Sequence, residues 1–401
     1  MKQFVLLQLA SVASIIAGSM MFLTMPWLTL KLTDSATMAG LVIAVSSIPG
    51  LLLSPFMGSL IDSIGRRKMA IAVEAISVIT TIAFPLINGI TPLTLTVILI
   101  LNVIRATFGG GSMTARKSLL PDVAREAKMT LDKGNSIHEA LAAAAFATGP
   151  AIASLLIAAF DVMSAFWVSA GFMALSSIFA WTIRVHEHKE ADAKERGSES
   201  WFSYASQGFR ALAKLPSVLI IFVIVVCLAL LYIPSELVVL PKYYEGINDP
   251  NTLGLLLMVM ALATSVGSLL FARFTKYLSY ANILRFTGFG VAIPMIPMAF
   301  LPPTPIMLIC GFVLGFAWGP MPPLLNTVIQ RKVPPSMRGR VFSIEMTIWS
   351  AAPMISMVFA GAAVDAFGVH PVYLAIALLV LLAVTVVAFQ PALKDLSAVD
   401  V

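Results

Sequence analysis

The chain has 401 residues, of which 59% are hydrophobic and 11% are charged, with a net charge of +6. Soluble domains carry about 25% charged residues, so this composition excludes a soluble globular protein. The net positive charge does not indicate nucleic-acid binding, because the basic residues lie between apolar segments, where membrane topology explains them.

The hydrophobic residues are concentrated in segments long enough to cross a bilayer. A transmembrane helix needs about 20 mainly apolar residues, and the segments lack the alternation of a membrane β-barrel. The first segment is too long for the apolar region of a signal peptide, which indicates an uncleaved span. In chain order the twelve predicted spans are 4–30, 36–60, 69–88, 93–114, 136–160, 163–184, 217–240, 251–272, 281–301, 304–328, 341–364 and 370–390.

The distribution of Lys and Arg predicts the orientation in the membrane. If both termini are cytoplasmic, all but three of the 26 basic residues precede, follow or connect spans on the inner side; the exceptions are Lys31, Lys242 and Arg105. Cytoplasmic segments are enriched in basic residues. The sequence therefore predicts a multi-pass protein of the cytoplasmic (inner) membrane with both termini inside.

One polar stretch divides the predicted spans into six and six. It predicts an N-terminal six-helix bundle over 1–185, a cytoplasmic linker over 186–216 and a C-terminal six-helix bundle over 217–401. Parallel repeats of this kind are a known transporter architecture. No phosphate-binding loop, catalytic grouping or metal-ligand spacing occurs in the sequence, so no enzyme, cofactor or metal site is predicted.

The loop between spans two and three contains a run of small, acidic and basic residues. Gly58 allows close helix approach, Asp62 can meet a helix N-terminus or an arginine, Gly65 allows a tight turn, and Arg66 and Arg67 follow it. This run resembles the signature loop of the major facilitator superfamily, G-x-L-x-D-x-x-G-R-[RK]. The resemblance implies an all-α membrane protein with 12 transmembrane helices in two pseudo-symmetric six-helix bundles.

A second resemblance concerns span five. Gly149 and Pro150 stand in a stretch similar to the antiporter motif of drug exporters, although Ala145 and Ala153 replace the flanking glycines. The alternative is an ordinary packing kink. Together with similar stretches elsewhere, the motif resembles the drug and siderophore exporter branch of the family, which includes macrolide and enterobactin exporters.

This resemblance implies a secondary transporter that exports hydrophobic or amphipathic compounds by alternating access, driven by protons. The implied partners are a small-molecule substrate, protons and the lipid bilayer, with no nucleic acid, and the protein is expected to act as a monomer. A lipid, siderophore or metabolite carrier is the alternative within transport. A non-transporting membrane receptor or scaffold is the alternative outside it.

Span eleven opens with charges that suit an inner gate. Arg338, Arg340 and Glu345 can close against Asp62 and Arg66 when the protein faces outward, and separate when it opens inward.

Five charged candidates lie inside predicted spans: Glu74, Arg105, Glu139, Glu236 and Glu345. A charge costs about 2.5–3.5 kcal/mol at mid-span, so each needs a reason. The first four are the candidates for proton coupling. Glu74 and Glu139, like Glu345, also suit inner-gate salt bridges. Arg105 is expected to pair with an acid, Glu74 first and Glu139 second.

Glu236 follows Pro234, which removes a backbone hydrogen bond and loosens the helix. Three roles stay open for this acid: carrying a proton, attracting a cationic substrate, or hydrogen bonding to a neighbouring helix.

Four residues are candidates for a substrate cavity: Met21, Met25, Tyr232 and Trp318. Methionine is flexible and polarizable, which suits a site that accepts several hydrophobic ligands, although it also serves as ordinary lipid-facing filler. Trp318 stands directly before an irregular Gly-Pro segment in span ten, and broken spans border transport cavities.

The signature loop leads to a first prediction. Asp62→Asn should leave membrane insertion intact and slow transport strongly, because the inner gate loses a charged contact. Transport assays should show the loss, and cross-linking should show the inner side open more often. Unchanged transport would contradict the gate hypothesis.

Overall fold

A computed structural model describes residues 1–129, 131–184, 215–333, 335–393 and 396. Within these ranges every regular element is a helix or helical turn. Hydrocarbon offers no hydrogen-bond partners to the backbone, so a spanning segment has to satisfy its N–H and C=O groups internally, and a helix does so.

The first half of the chain forms six helices joined by short turns. They are α1 (Lys2–Thr33), α2 (Ala36–Ile64), α3 (Arg66–Ile90), α4 (Leu95–Glu126), α5 (Leu131–Ala159) and α6 (Val162–Thr182). In this half α1 packs against α4, α5 and α6, and α3 packs against α4 and α6.

The second half has more interruptions. Its elements are α7 (Pro216–Pro234), a π-helical turn (Ser235–Val239), α8 (Leu240–Gly246), α9 (Pro250–Leu269), α10 (Phe271–Phe274), α11 (Tyr280–Ala299), α12 (Thr304–Trp318), α13 (Met321–Lys332), α14 (Pro335–Phe367), α15 (Val369–Ala388) and a 3₁₀ turn (Pro391–Leu393). Here α7 packs against α14 and α15, and α11 packs against α12 and α15.

The all-helical membrane fold predicted from the sequence is confirmed. In the described residues, nine helices are long and apolar enough to cross a membrane, and three shorter apolar stretches fall in predicted spans two, four and eleven. Helix α4 continues to Glu126, beyond the predicted end of span four at 114. The irregularity predicted for span ten is present as the break between α12 and α13.

Contacts divide the chain into two compact units. The first comprises Met1–Ala191 with Pro241–Met258, and the second comprises Asp192–Leu240 with Val259–Val401. The bundle boundaries at 185 and 217 stay a prediction, because residues 185–214 of the intervening linker lie outside the described residues.

Local sequence explains several helix ends. Gly65 separates α2 from α3 with φ +98°, a conformation that favours glycine because it has no Cβ. Asp161 caps α6 by accepting a hydrogen bond from the backbone N–H of Ser164 (2.8 Å). Helix α1 ends at Asp34 in a left-handed conformation, φ 51°.

Within the first unit, a lysine of α8 joins the end of α1. The Nζ of Lys242 donates to the backbone carbonyl of Asp34 (2.9 Å) and to its carboxylate. Glu245 lies 3.7 Å from the same Nζ. Lys31 and Lys242 are the two basic residues that the sequence places on the outer side of the membrane. Lys31 lies in the last turn of α1, and Lys242 of α8 contacts the end of that helix.

Gly149 marks a close approach of α5 to α1. A Cβ at this position would lie 1.9 Å from Ser19 Oγ and 2.8 Å from both the Ile16 carbonyl oxygen and the Met20 nitrogen. The last two atoms belong to the backbone and cannot turn aside. The antiporter-like glycine is thus required by packing, while its role in antiport stays a prediction.

This contact gives a second prediction. Gly149→Ala should lower the thermal stability of the purified protein, since overpacking costs about 1–3 kcal/mol. Gly171→Ala is the matched control, because a Cβ there meets nothing within 4 Å and alanine favours the helix. Equal melting temperatures for the two variants would show that α1 and α5 can separate without cost.

Candidate functional site

A buried ion pair joins α3 and α4 in the first unit. Arg116 Nη1 lies 2.5 Å from Glu74 Oε1, and the two residues are only 3% and 2% exposed. Ser112 donates a hydrogen bond to the same carboxylate oxygen (2.8 Å). Arg116 also donates to Ser14 on α1 (2.7 Å) and reaches Ser176 on α6 (3.5 Å). We call these five residues the buried polar cluster.

The guanidinium of Arg116 links α4 to three other helices, α1, α3 and α6. A buried ion pair gains stability only when further hydrogen bonds satisfy its remaining polar atoms, and the three serines provide them here. Removing either charged partner would leave the other buried and unpaired. This makes the packing of α1, α3, α4 and α6 sensitive to the charge on Glu74.

Arg105 does not pair with Glu74, so that expectation was wrong. Its Nε and Nη2 donate to Asn102 Oδ1 (3.2 and 2.9 Å), and Asn102 in turn donates to Ser46 on α2 (2.8 Å). Among the described residues Asn102 is its polar partner. Arg105 and Arg116 are eleven residues apart on α4, about 16 Å along the axis, so Glu74 cannot reach both.

A second polar contact joins α1 to α5. His138 Nδ1 lies 2.9 Å from Gln8 Oε1, and both side chains are buried. Gln8 Nε2 and the nearby Ser11 Oγ have no hydrogen-bond partner in the described part of the chain. This contact was not predicted from the sequence, although Gln8 and Ser11 stand three positions apart in an apolar helix, which is a detectable signal.

In the second unit, acidic and aromatic side chains form a continuous series, which we call the acid–aromatic ladder. Glu236 in the π-helical turn lies near the side chain of Tyr232, four residues earlier in the chain. The Tyr232 ring is 5.5 Å from Trp318 of α12, and Trp318 is 5.6 Å from Trp349 of α14. Trp349 Nε1 donates to Glu345 Oε1 (3.2 Å).

The ladder unites four sequence candidates with one residue that was not selected from the sequence. Tyr232, Glu236 and Glu345 were each named separately, and Trp318 was named for its broken span. Trp349 was missed, although it stands four residues after Glu345, a spacing that places both on one helix face.

The remaining candidates are dispersed. Glu139 is exposed, and its role in proton coupling or the inner gate stays a prediction. Met21 and Met25 are buried, at 2% and 3% exposed, and their place in a substrate cavity also stays a prediction. Arg67 donates to the carbonyl oxygens of Ala180 and Trp181 at the end of α6. The side-chain contacts of the other gate residues lie outside the described residues: Gly58, Asp62, Arg66, Arg338 and Arg340.

In the residues that the structure describes, no three His, Cys, Asp or Glu side chains are grouped to hold a metal ion. The described residues instead show buried charges, hydrogen bonds and aromatic contacts.

Long apolar helices, together with charged side chains that pair or are partly buried among them, define a polytopic membrane protein of the helical class. A family model described as Major Facilitator Superfamily matches residues 7–356 and 237–397. The chain belongs to this superfamily of membrane transporters, and the resemblance drawn from the signature loop is confirmed.

Similar proteins include several exporters. The chain is 31% identical over 376 residues to the multidrug efflux pump Tap of Mycolicibacterium fortuitum, covering 92% of this chain and 91% of that protein. It is 20% identical to macrolide efflux protein A of Streptococcus pyogenes, covering 89% and 88%. The solved structure of the nucleoside transporter NupG superposes with a TM-score of 0.78 at 13% identity, covering 97% and 100%, which shows the shared fold.

The buried polar cluster gives a third prediction. Glu74→Ala and Arg116→Ala should each destabilise the protein by about 3–5 kcal/mol, because each leaves one buried charge unpaired. The double variant should lose much less than the sum of the two, since both charges are then absent. Thermal unfolding of the purified variants measures the three losses, and additivity would contradict the pairing.

Proposed function

We propose that the protein is a secondary transporter that exports hydrophobic or amphipathic compounds in exchange for protons, by alternating access. The relatives named as multidrug and macrolide efflux proteins, similar along nearly the whole chain, support export of such compounds. The proposal includes cytoplasmic termini, action as a monomer and no enzymatic step.

The observation that carries proton coupling is the burial of Glu74 against Arg116. An ionisable residue inside membrane helices is costly and marks functional pathways. Glu74 is an acid that can take up a proton, and its partner is a permanently charged guanidinium. Protonation would therefore convert an ion pair into an unpaired cation at the same place.

This change alters the bonds among four helices. With Glu74 ionised, Arg116 is held to α3 by charge and to α1 and α6 by serine hydroxyls. With Glu74 protonated, the charge–charge attraction to α3 is lost, while the serine contacts to α1 and α6 persist. A local charge change that biases helix packing is the kind of event that drives conformational switches. Proton uptake and release at Glu74 would in this way accompany each cycle.

Purified protein in liposomes with an imposed pH gradient tests the proposal, using a panel of fluorescent drugs and labelled lipids. We expect drug movement that follows the pH gradient. Glu74→Gln keeps the side-chain volume and removes the titratable charge, so it should abolish gradient-driven transport and partly retain substrate exchange without a gradient.

A parallel variant compares Glu74 with Glu236, a partly buried acid of the second unit. Glu236→Gln should still respond to the pH gradient if Glu74 carries the proton. Gradient-driven transport by Glu74→Gln at the wild-type rate, with its loss in Glu236→Gln, would transfer proton coupling to Glu236. Transport of lipids alone, with no drug in the panel moved, would contradict the proposed substrate class.

A further inference from the structure

A short basic segment of the second unit connects α9 to α11. Both flanking helices are long and apolar enough to cross a membrane, so residues 270–279 between them lie at a membrane surface. Their backbone continues in helical turns as far as Leu278, whose N–H donates to the Phe274 carbonyl oxygen (2.8 Å). Tyr277 is 75% exposed, and tyrosine is enriched at the membrane–water interface. We call residues 270–279 the interfacial connection.

The interfacial connection presents basic and aromatic side chains on different sides. Arg273 and Lys276 are both exposed and stand three positions apart, a helical spacing that places them together. The ring of Phe274 instead packs on the bundle, with its centroid 5.6 Å from Phe286 of α11 and 6.2 Å from Phe316 of α12. Two positive charges are therefore held at the membrane surface beside aromatic rings.

These rings extend from the membrane surface towards its apolar core. Phe286 lies 6.3 Å from Phe316, which is stacked on Phe312 at 6.2 Å with 12° between the ring planes. Because α12 returns towards the interfacial connection, Phe312 lies about 6 Å deeper in the membrane than Phe316. Phe286 and Phe312 are 38% and 49% exposed. Together with Phe274 they form what we call the phenylalanine strip, an open apolar surface.

The charge of this region has one sign. Between Asp249 and Glu345 the sequence contains seven Lys and Arg residues and no Asp or Glu. A third exposed basic residue stands at the same membrane surface, because the Arg331 guanidinium lies 5.7 Å from the ring centroid of Tyr280, the residue that follows the interfacial connection. The region therefore has the charge that complements an anion.

The corresponding loop of the first half has a different composition. There Gly58 is followed four positions later by an acid, Asp62, whereas Gly267 is followed at the same spacing by Phe271. An acid in the loop offers a basic neighbour a partner of opposite charge, and a phenylalanine does not. The interfacial connection is thus a basic and aromatic counterpart of the signature loop.

We infer that the interfacial connection and the phenylalanine strip form a binding site for an anionic phospholipid. Arg273 and Lys276 face the phosphate of the headgroup, and one acyl chain lies along the strip. Basic side chains beside membrane helices bind anionic headgroups in this way. A free phosphate would leave the strip unused, and a neutral lipid would leave the two charges unused. This lipid is a resident ligand at the outer face of the second unit, distinct from the exported compounds.

Native mass spectrometry of the delipidated full-length protein in detergent tests the site. The probes are dioleoyl-phosphatidylglycerol and dioleoyl-phosphatidylcholine, which share their acyl chains and differ in headgroup charge. We expect tighter binding of the phosphatidylglycerol. Arg273→Gln and Lys276→Gln should each weaken its binding about fivefold, and together about thirtyfold, since each basic residue near an anionic headgroup contributes about 1 kcal/mol. Phosphatidylcholine binding should stay the same.

A matched pair of basic residues provides the control for charge. Arg125 and Lys128 at the end of α4 are also exposed and three positions apart, so the Arg125→Gln/Lys128→Gln variant loses the same charge elsewhere. It should keep the preference for phosphatidylglycerol. Thermal melting establishes that each variant is folded.

A second control concerns the acyl chain. Phe312→Ala should weaken phosphatidylglycerol binding about threefold, the effect of losing about 25 Å² of apolar contact. Phe359→Ala removes an even more exposed ring of α14, at 72%, and should bind the lipid as the wild type does. Equal effects of the two substitutions would remove the strip from the site.

The other outcomes also decide the inference. Equal binding of the two lipids would overturn it, and so would a preference that the Arg273→Gln/Lys276→Gln variant retains or that the Arg125→Gln/Lys128→Gln variant loses equally. Competition by glycerol 3-phosphate at the concentration of the lipid would show a site for free phosphate instead. A preference that appears only after the acids of residues 187–199 are replaced by amides would assign the two basic residues to the linker of this chain and contradict a resident lipid.

Discussion

The hydrocarbon core of a membrane offers no hydrogen bonds, and every polar group of the chain has to be satisfied under that constraint. Backbone groups meet it by forming helices, and many hydroxyls meet it locally: Thr24 and Thr29 donate to the carbonyl oxygens of Met20 and Met25 one turn earlier. Groups that cannot be satisfied within one helix determine how helices associate. Glu74 needs a cation, and the cation that it receives from α4 also binds α1 and α6.

The same constraint separates what sequence could predict from what it could not. Each apolar segment forms a helix by itself, so hydropathy predicted the spans and most of their ends. Arg116 shows the limit: hydropathy ended span four at 114 and placed this arginine in a basic loop, because its counter-charge lies on another helix. Trp349 was missed for a related reason, since only the rotation of α14 brings it between Glu345 and Trp318. The spacing of residues within one helix could be read from the sequence, whereas the helix faces that contact one another could not.

The two units treat buried charge differently. The first contains a compensated pair and an arginine held by Asn102, and these contacts hold helices together. In the second unit, Glu345 accepts a hydrogen bond from the indole N–H of Trp349, a neutral donor one helical turn later.

The separation of Glu74 and Arg116 by 42 residues also has a consequence for biogenesis. Helix α3 leaves the ribosome before α4, and at about 5–20 residues per second the arginine follows roughly 2–8 s later. During that interval the glutamate has no counter-ion. The high hydropathy of the remaining α3 residues has to carry it into the bilayer, or α3 has to wait beside the translocon until α4 arrives. In the second case, the pair that stabilises the mature bundle also makes the insertion of two successive helices a joint event.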